Sequence, residues 1–271
     1  MQKKLIVILC SVVVALAAAV LGFGVTMSVS DFKIEGTLYS EKAKEDALAV
    51  RDRLNDRIGT NLLFVDTEEV KEEFAGFYPY LTVLSVEKQF PDCICIRVEE
   101  KLEVYAVSYA GASGDVYCML DKDGVVLSLN SVNENHVDGK PNVLLSGAEI
   151  SEPKVGETVS GEALNRALKA AKLLHQRLGG LRSCIVSIEV KAPTSSSKDE
   201  SLALYTVEGV TLQMDNPGNL TELKAARLAL SYTELSDTNK LFGTLGVYDD
   251  AADPNGIICT YTARDGSVSA A

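Results

Sequence analysis

Residues 5–27, LIVILCSVVVALAAAVLGFGVTM, contain no charged side chain. As a helix rising ~1.5 Å per residue, the run measures about 34 Å, enough to cross a hydrocarbon core of roughly 30 Å. Lys3 and Lys4 precede it, and Asp31 is the first charge after it. Positive charge is retained on the cytoplasmic side of such segments, which places residues 1–4 inside and everything after Met27 outside. The competing reading is a cleaved signal peptide, because Ala15-Leu16-Ala17 and Ala17-Ala18-Ala19 resemble small-residue cleavage sites. Against it, the apolar run continues about ten residues past Ala17, more than a signal peptide needs. In either case the bulk of the chain is exported.

The formal net charge is −12, and setting aside Lys3 and Lys4 leaves −14 on residues 28–271. Such a surface repels phosphate backbones and anionic headgroups, which disfavours nucleic-acid binding. Six cysteines, at 10, 93, 95, 118, 184 and 259, form no C-x-x-C pair. Cys93 and Cys95 are two apart in a strand-like run and share a face, so a bridge between them is strained. They read as small buried apolar residues, with a disulfide among Cys118, Cys184 and Cys259 left open in an oxidising compartment.

Asp31–Gly36 reads as a strand, and Ser40 caps a helix reaching about Ile58 with apolar residues at 43, 47, 50, 54 and 58. Thr67 caps a second helix with Val70 and Phe74 on one face. Tyr80–Phe90 is a strand, Pro91-Asp92 a turn, and Cys93–Glu99 alternates strictly. The order strand, helix, helix, strand, strand makes a compact α+β unit with its helices on one face of a three-stranded sheet.

A mostly β region follows. Val116–Asp121 and Val125–Leu129 flank the hairpin signal Lys122-Asp123-Gly124. Asn142–Leu145 is a short apolar piece, and Ser160–Leu178 is an amphipathic helix. Cys184–Val190 is strand-like, and Leu202–Val207 pairs with Val210–Met214 across Glu208-Gly209. A second helix runs from Leu220 to about Leu235, and Leu241–Tyr248 is a further strand. Ile257–Thr262 is either a last edge strand or an unpaired tail.

Several of these residues resemble a known domain. Ile34-x-Gly36, Gly59-x-Asn61-Leu62, Val65-Asp66, Pro79, Val86, Pro91 and Ile96-x-Val98-x-Glu100 resemble the pattern of a POTRA domain. LDKDGVVL (120–127), Pro141 to Gly147, VTLQMDNPGNLTELKAARLAL (210–230) and GTLGVYD (243–249) resemble the second domain of the FtsQ/DivIB family of cell-division proteins. Glu103 and Gly246 depart from that family's usual proline and aspartate. The resemblance implies an α+β chain in five parts. These are a cytoplasmic tail (1–4), a transmembrane helix (5–27), a POTRA domain (31–107), a β domain with two helices (115–249) and a C-terminal tail (250–271).

It also implies a single-pass divisome scaffold at the septum, bound to membrane-anchored partners of the FtsB/DivIC and FtsL type. The edge of the β domain formed by Thr244, Leu245, Gly246, Val247 and Tyr248, with the helix carrying Lys224, is expected to receive the partner by strand addition. Alternation along that strand turns half its side chains, Leu245 and Val247 or their alternates, towards the core.

No catalytic, metal or cofactor site is expected. His136 lies in a polar loop and His175 late in a helix, each without a nucleophile or orienting acid in sequence. Glu68-Glu69, Glu72-Glu73 and Glu99-Glu100 read as solvated faces. A sugar-cleaving enzyme needs a cleft lined with aromatics, and the chain has no tryptophan. A POTRA-bearing secretion component would carry a long C-terminal run of alternating barrel strands, whereas helices interrupt the strands here.

Overall fold

The computed structural model describes residues 11–15, 27–74, 78–111, 114–193, 199–263 and 268–270. Of the expected membrane span, 11–15 are helical, and 5–10 and 16–26 lie outside the described residues. No helix among the described residues is long and apolar enough to cross a membrane. The chain divides into two units between Lys101 and Leu102.

The first unit contains β1 (Asp31–Glu35), α1 (Glu41–Leu54), α2 (Thr67–Phe74), β2 (Leu81–Gln89) and β3 (Cys93–Glu100). Short 3-10 turns at Asn55–Arg57 and Leu62–Phe64 lie between the helices. The sheet order is β1-β3-β2, with β1 parallel and β2 antiparallel to β3. Alternation turns Ile94, Ile96 and Val98 inward, where they meet Ala43, Ala47, Val50 and Leu54 of α1 and Val70 and Phe74 of α2. Each such aliphatic side chain contributes roughly 1.5–3 kcal/mol by leaving water.

One cap and one acidic residue differ from expectation, while Ser40 caps α1 as expected. Asp66, not Thr67, caps α2, its Oδ1 accepting the N–H of Glu68 (2.9 Å) and Glu69 (3.3 Å). Glu100 is buried rather than solvated, and its carboxylate accepts from Tyr39 N–H, Ser40 N–H and Ser40 Oγ at the head of α1. Its cluster partner Glu99 is exposed. A carboxylate at a helix N-terminus satisfies donors the helix itself leaves open.

The second unit is one ten-stranded sheet. Its strands are β4 (Tyr105–Gly111), β5 (Gly114–Leu120), β6 (Val126–Asn130), β7 (Val143–Ser146), β8 (Ile185–Lys191), β9 (Ser201–Thr206), β10 (Thr211–Asp215), β11 (Thr244–Asp249), β12 (Ile257–Thr262) and β13 (Val268–Ala270). Their spatial order is β13-β12-β11-β10-β9-β8-β7-β4-β5-β6. Helix α3 (Glu162–Leu178) links the parallel pair β7 and β8. Helices α4 (Thr221–Glu234) and α5 (Asp237–Lys240) link the parallel pair β10 and β11. Helix α3 packs against α4. Leu164, Leu168, Leu174, Leu228 and Tyr232 close the core over Ile188, Leu204, Leu212 and Leu245.

Three sequence expectations change here. Tyr105–Gly111 is a strand paired with β5 and β7, so the first unit ends at Lys101 rather than 107, and the second begins well before 115. The sequence YAVSYAG hides that strand because small residues blur its alternation. Leu241–Gly243 is a turn after α5, so β11 starts at Thr244. Ile257–Thr262 is a strand, and the second unit runs past 249 to include it.

Candidate partner-binding edge

The expected margin is an interior strand. Thr211–Met214 of β10 pairs parallel with β11 on one side, and β12 pairs antiparallel on the other, in register Leu245↔Tyr261, Val247↔Cys259 and Tyr248↔Ile258. Thr244–Val247 is therefore paired on both sides, and Tyr248 on its β12 side, which leaves no margin there for an added strand. Leu245 and Val247 are fully buried in the core. On the opposite face the Tyr248 ring lies over Gly246, and a Cβ there would sit 2.3 Å from Tyr248 Oη. Gly246 thus makes room for its neighbour two residues on.

Lys224 is likewise not a contact residue, since none of its side chain is exposed. It shares the inward stripe of α4 with Thr221, Ala225 and Leu228. Its ammonium donates to Asp215 O (2.7 Å) and Asn216 O (3.0 Å) and pairs with Asp249 Oδ1 (2.8 Å). Asp249 also accepts from Asn216 Nδ2 (3.2 Å) and Asn219 Nδ2 (3.1 Å). Burial holds the pKa of the adjacent Asp215 above the usual range, with Lys224 acting the other way. The cluster ties the 215–219 loop and α4 to the end of β11.

The margin lies one strand further out. β13 covers β12 from Thr260 to Thr262, and β11 holds its inner side throughout. Among the described residues, the first half of β12, Ile257–Cys259, has no partner on its outer side. A groove of about 680 Å³ opens between this half-strand and α4. Leu223, Ala226 and Leu230 form its helical wall at spacings of three and four, with Ile257, Ile258 and Cys259 opposite. Leu223, Leu230 and Ile258 are each about half exposed. Arg177, in the last turn of α3, and Arg227 of α4 add positive charge to the lining.

An apolar groove beside unpaired strand backbone is suited to an extended segment of another chain. Main-chain hydrogen bonds would hold it and the groove would read its side chains. Sequence reasoning missed Leu223, Leu230 and Ile258. The available signal was a second apolar stripe on α4, at 223, 226 and 230, opposite the buried stripe at 221, 225 and 228.

Both histidines make contacts that their local sequence does not show. His136 is mostly buried, with Nδ1 3.2 Å from the fully buried Glu103 carboxylate. His175 Nδ1 accepts the Leu181 N–H at 3.3 Å. No group of three or more metal-ligating side chains gathers among the described residues. Cys93, Cys95, Cys118, Cys184 and Cys259 are free thiols, and burial pushes the Cys118 thiol up to about 12.

Residues 27–101, which hold the three strands and two helices of the first unit, match the family model described as POTRA domain, FtsQ-type. The chain carries an FtsQ-type POTRA domain. That match supports the FtsQ/DivIB resemblance read from the motifs. No curated protein matches the chain. In the POTRA domain, β1 and β2 are the two margins of the sheet.

Proposed function

We propose that the chain is a non-enzymatic scaffold of the bacterial division machinery, of the FtsQ/DivIB kind. It would be anchored through residues 5–27 with its folded units outside the cytoplasm and would concentrate at the septum. The observation that carries this reading is the FtsQ-type POTRA match over 27–101, directly behind an uncharged 23-residue run. Its partners would be membrane-anchored proteins of the FtsB/DivIC and FtsL type.

The partner segment would add beside Ile257–Cys259 of β12 and lay apolar side chains against Leu223, Leu230 and Ile258. Arg177 favours a segment that also carries acidic residues. Lys224, Thr244, Leu245, Gly246, Val247 and Tyr248 would act from behind, fixing the strand and helix on which this margin is registered.

Two measurements test the reading. A fluorescent fusion of the full chain should concentrate at mid-cell in dividing cells, and a uniform envelope signal would remove the division role. Leu223→Asp and Ile258→Asp should abolish capture of a DivIC- or FtsB-type partner while circular dichroism stays native. Full capture by both folded variants would rule out the groove.

A further inference from the structure

The apolar run ends at Met27, and the structure fixes where that end meets the POTRA domain. Residues 27–29 lie antiparallel to 59–62. Leu62 N–H donates to Met27 O (2.7 Å), Val29 N–H to Thr60 O (2.8 Å) and Gly59 N–H to Val29 O (2.8 Å). Ser30 N–H donates to Asp92 O (2.8 Å), which brings the β2–β3 turn to the same place.

Large apolar side chains are exposed at this end of the domain. In the turn Leu62–Phe64, Leu62 is fully buried and anchors the backbone, which leaves Leu63 and Phe64 outside. Phe64 is 86% exposed, and Ile58 and Phe90 are also exposed. Each lies within three residues of a backbone group bonded to residues 27–30. Three cations here are engaged within the domain: Arg57 with Glu69 and Glu73, Arg51 with Asp31, and Lys88 with Leu63 O. A cluster of exposed aromatic and aliphatic side chains on a soluble surface marks a contact site.

We propose that Phe64, Leu63, Ile58 and Phe90 form a lipid-contact patch that inserts at headgroup level and seats the POTRA domain on the outer membrane–water interface. The proposal rests on the reading that residues 5–27 span the bilayer. With the end of that span at the interface, the hydrogen bonds to Met27 and Val29 hold the patch at the same depth. Aromatic side chains partition favourably there. Because Arg51 and Arg57 are paired with carboxylates of the domain, the contact depends chiefly on apolar surface and only weakly on lipid charge. The domain would then be attached at two points, which fixes its tilt.

Tryptophan fluorescence tests this, since the chain has none of its own. Phe64→Trp and Tyr39→Trp are made separately in the full chain. Tyr39 is exposed and donates its N–H to Glu100, at the far end of β3, about 23 Å away at ~3.3 Å per residue. Each variant is reconstituted into vesicles of phosphatidylcholine, plain or brominated near the headgroup, with and without phosphatidylglycerol.

The expected result is emission shifted to shorter wavelength and strong quenching by brominated lipid for Phe64→Trp, in both lipid mixtures, with neither effect for Tyr39→Trp. Water-like, unquenched emission from Phe64→Trp in a chain that floats with the vesicles overturns the patch and leaves the anchor standing. Equal quenching at both positions also overturns it. A chain that does not float overturns the anchor and the patch together.

Discussion

Lys224 Nζ lies 2.8 Å from Asp249 Oδ1 with the lysine side chain wholly buried and the aspartate partly open to water. The pair, with the carbonyls of Asp215 and Asn216, joins the first turn of α4 to the last residue of β11. Removing one member of a buried pair strands the other's polar atoms. Lys224→Met is therefore expected to cost about 3 kcal/mol in chemical denaturation. Asp249→Asn should cost less, because its amide still accepts from the lysine. Partner capture should weaken only as far as the groove wall on α4 loosens, so a folded Lys224→Met chain should bind better than Leu223→Asp.

Proline within β11 distinguishes an interior strand from a margin. Val247 is held between β10 and β12 and faces the core. Val247→Pro removes a backbone donor and strains the ladder, so the second unit should lose its cooperative thermal transition. A folded Val247→Pro chain would contradict the sheet order. The half-exposed Ile258→Asp should shift that transition little.

Chain order and sheet order separate at this point. The alternation of Cys93–Glu99, the helix at 162–178 and the hairpin at 122–124 are written in local spacing and could be read directly. The margin was misplaced because Leu241–Tyr248 was the last strongly apolar strand in the sequence, whereas Ile257–Thr262 returns to pair beside it. Long-range pairing leaves no local trace, and neither does the parallel insertion of Val143–Ser146 between β4 and β8. Lys224 misled for a related reason: a lysine in a helix reads as solvent-facing until its partners, nine residues back and 25 ahead, are in place.

Gly36 shows a motif residue with a legible cause. A Cβ on it would stand 2.1 Å from Val98 O, so the chain leaving β1 passes too close to β3 for any side chain. Gly36→Ala must push the two apart and is expected to cost about 2 kcal/mol by overpacking. The loss should fall on the POTRA domain alone, visible as earlier hydrogen exchange in β1 and β3 with the second unit unchanged.

His175 sets a pH dependence of known sign. Burial, and then the Lys122 charge, hold its pKa below the ordinary 6.5. Between the folded value and 6.5 the unfolded chain binds more protons than the native one, so stability falls as pH drops below 6.5. Protonation also removes the acceptor used by the buried Leu181 N–H. His175→Gln should flatten this part of the stability curve and leave stability above pH 7 nearly unchanged. An identical slope in both proteins between pH 7 and 5 would assign the loss to other groups.

Glu103 stands just ahead of β4, and the fold explains what it does there. Its carboxylate is buried and accepts from the His136 N–H (3.0 Å), with His136 Nδ1 at 3.2 Å and Asn142 Nδ2 and Ser128 Oγ each at 3.4 Å. Its carbonyl accepts from Asn135 Nδ2 (2.9 Å), and that amide also donates to Asn142 Oδ1 (2.8 Å). One residue at the entrance to β4 thereby ties Asn135, His136 and Asn142 of the 131–142 connection to the sheet. Glu103→Gln keeps the shape and one acceptor oxygen and should cost about 1 kcal/mol. Glu103→Ala leaves several buried donors unanswered and should cost about 3 kcal/mol. Hydrogen exchange separates this from a general loss of packing: in Glu103→Ala the amides of His136 and Asn142 should lose protection well before those of β8 and β9. Uniform loss across the sheet would mean that the connection is held by other contacts.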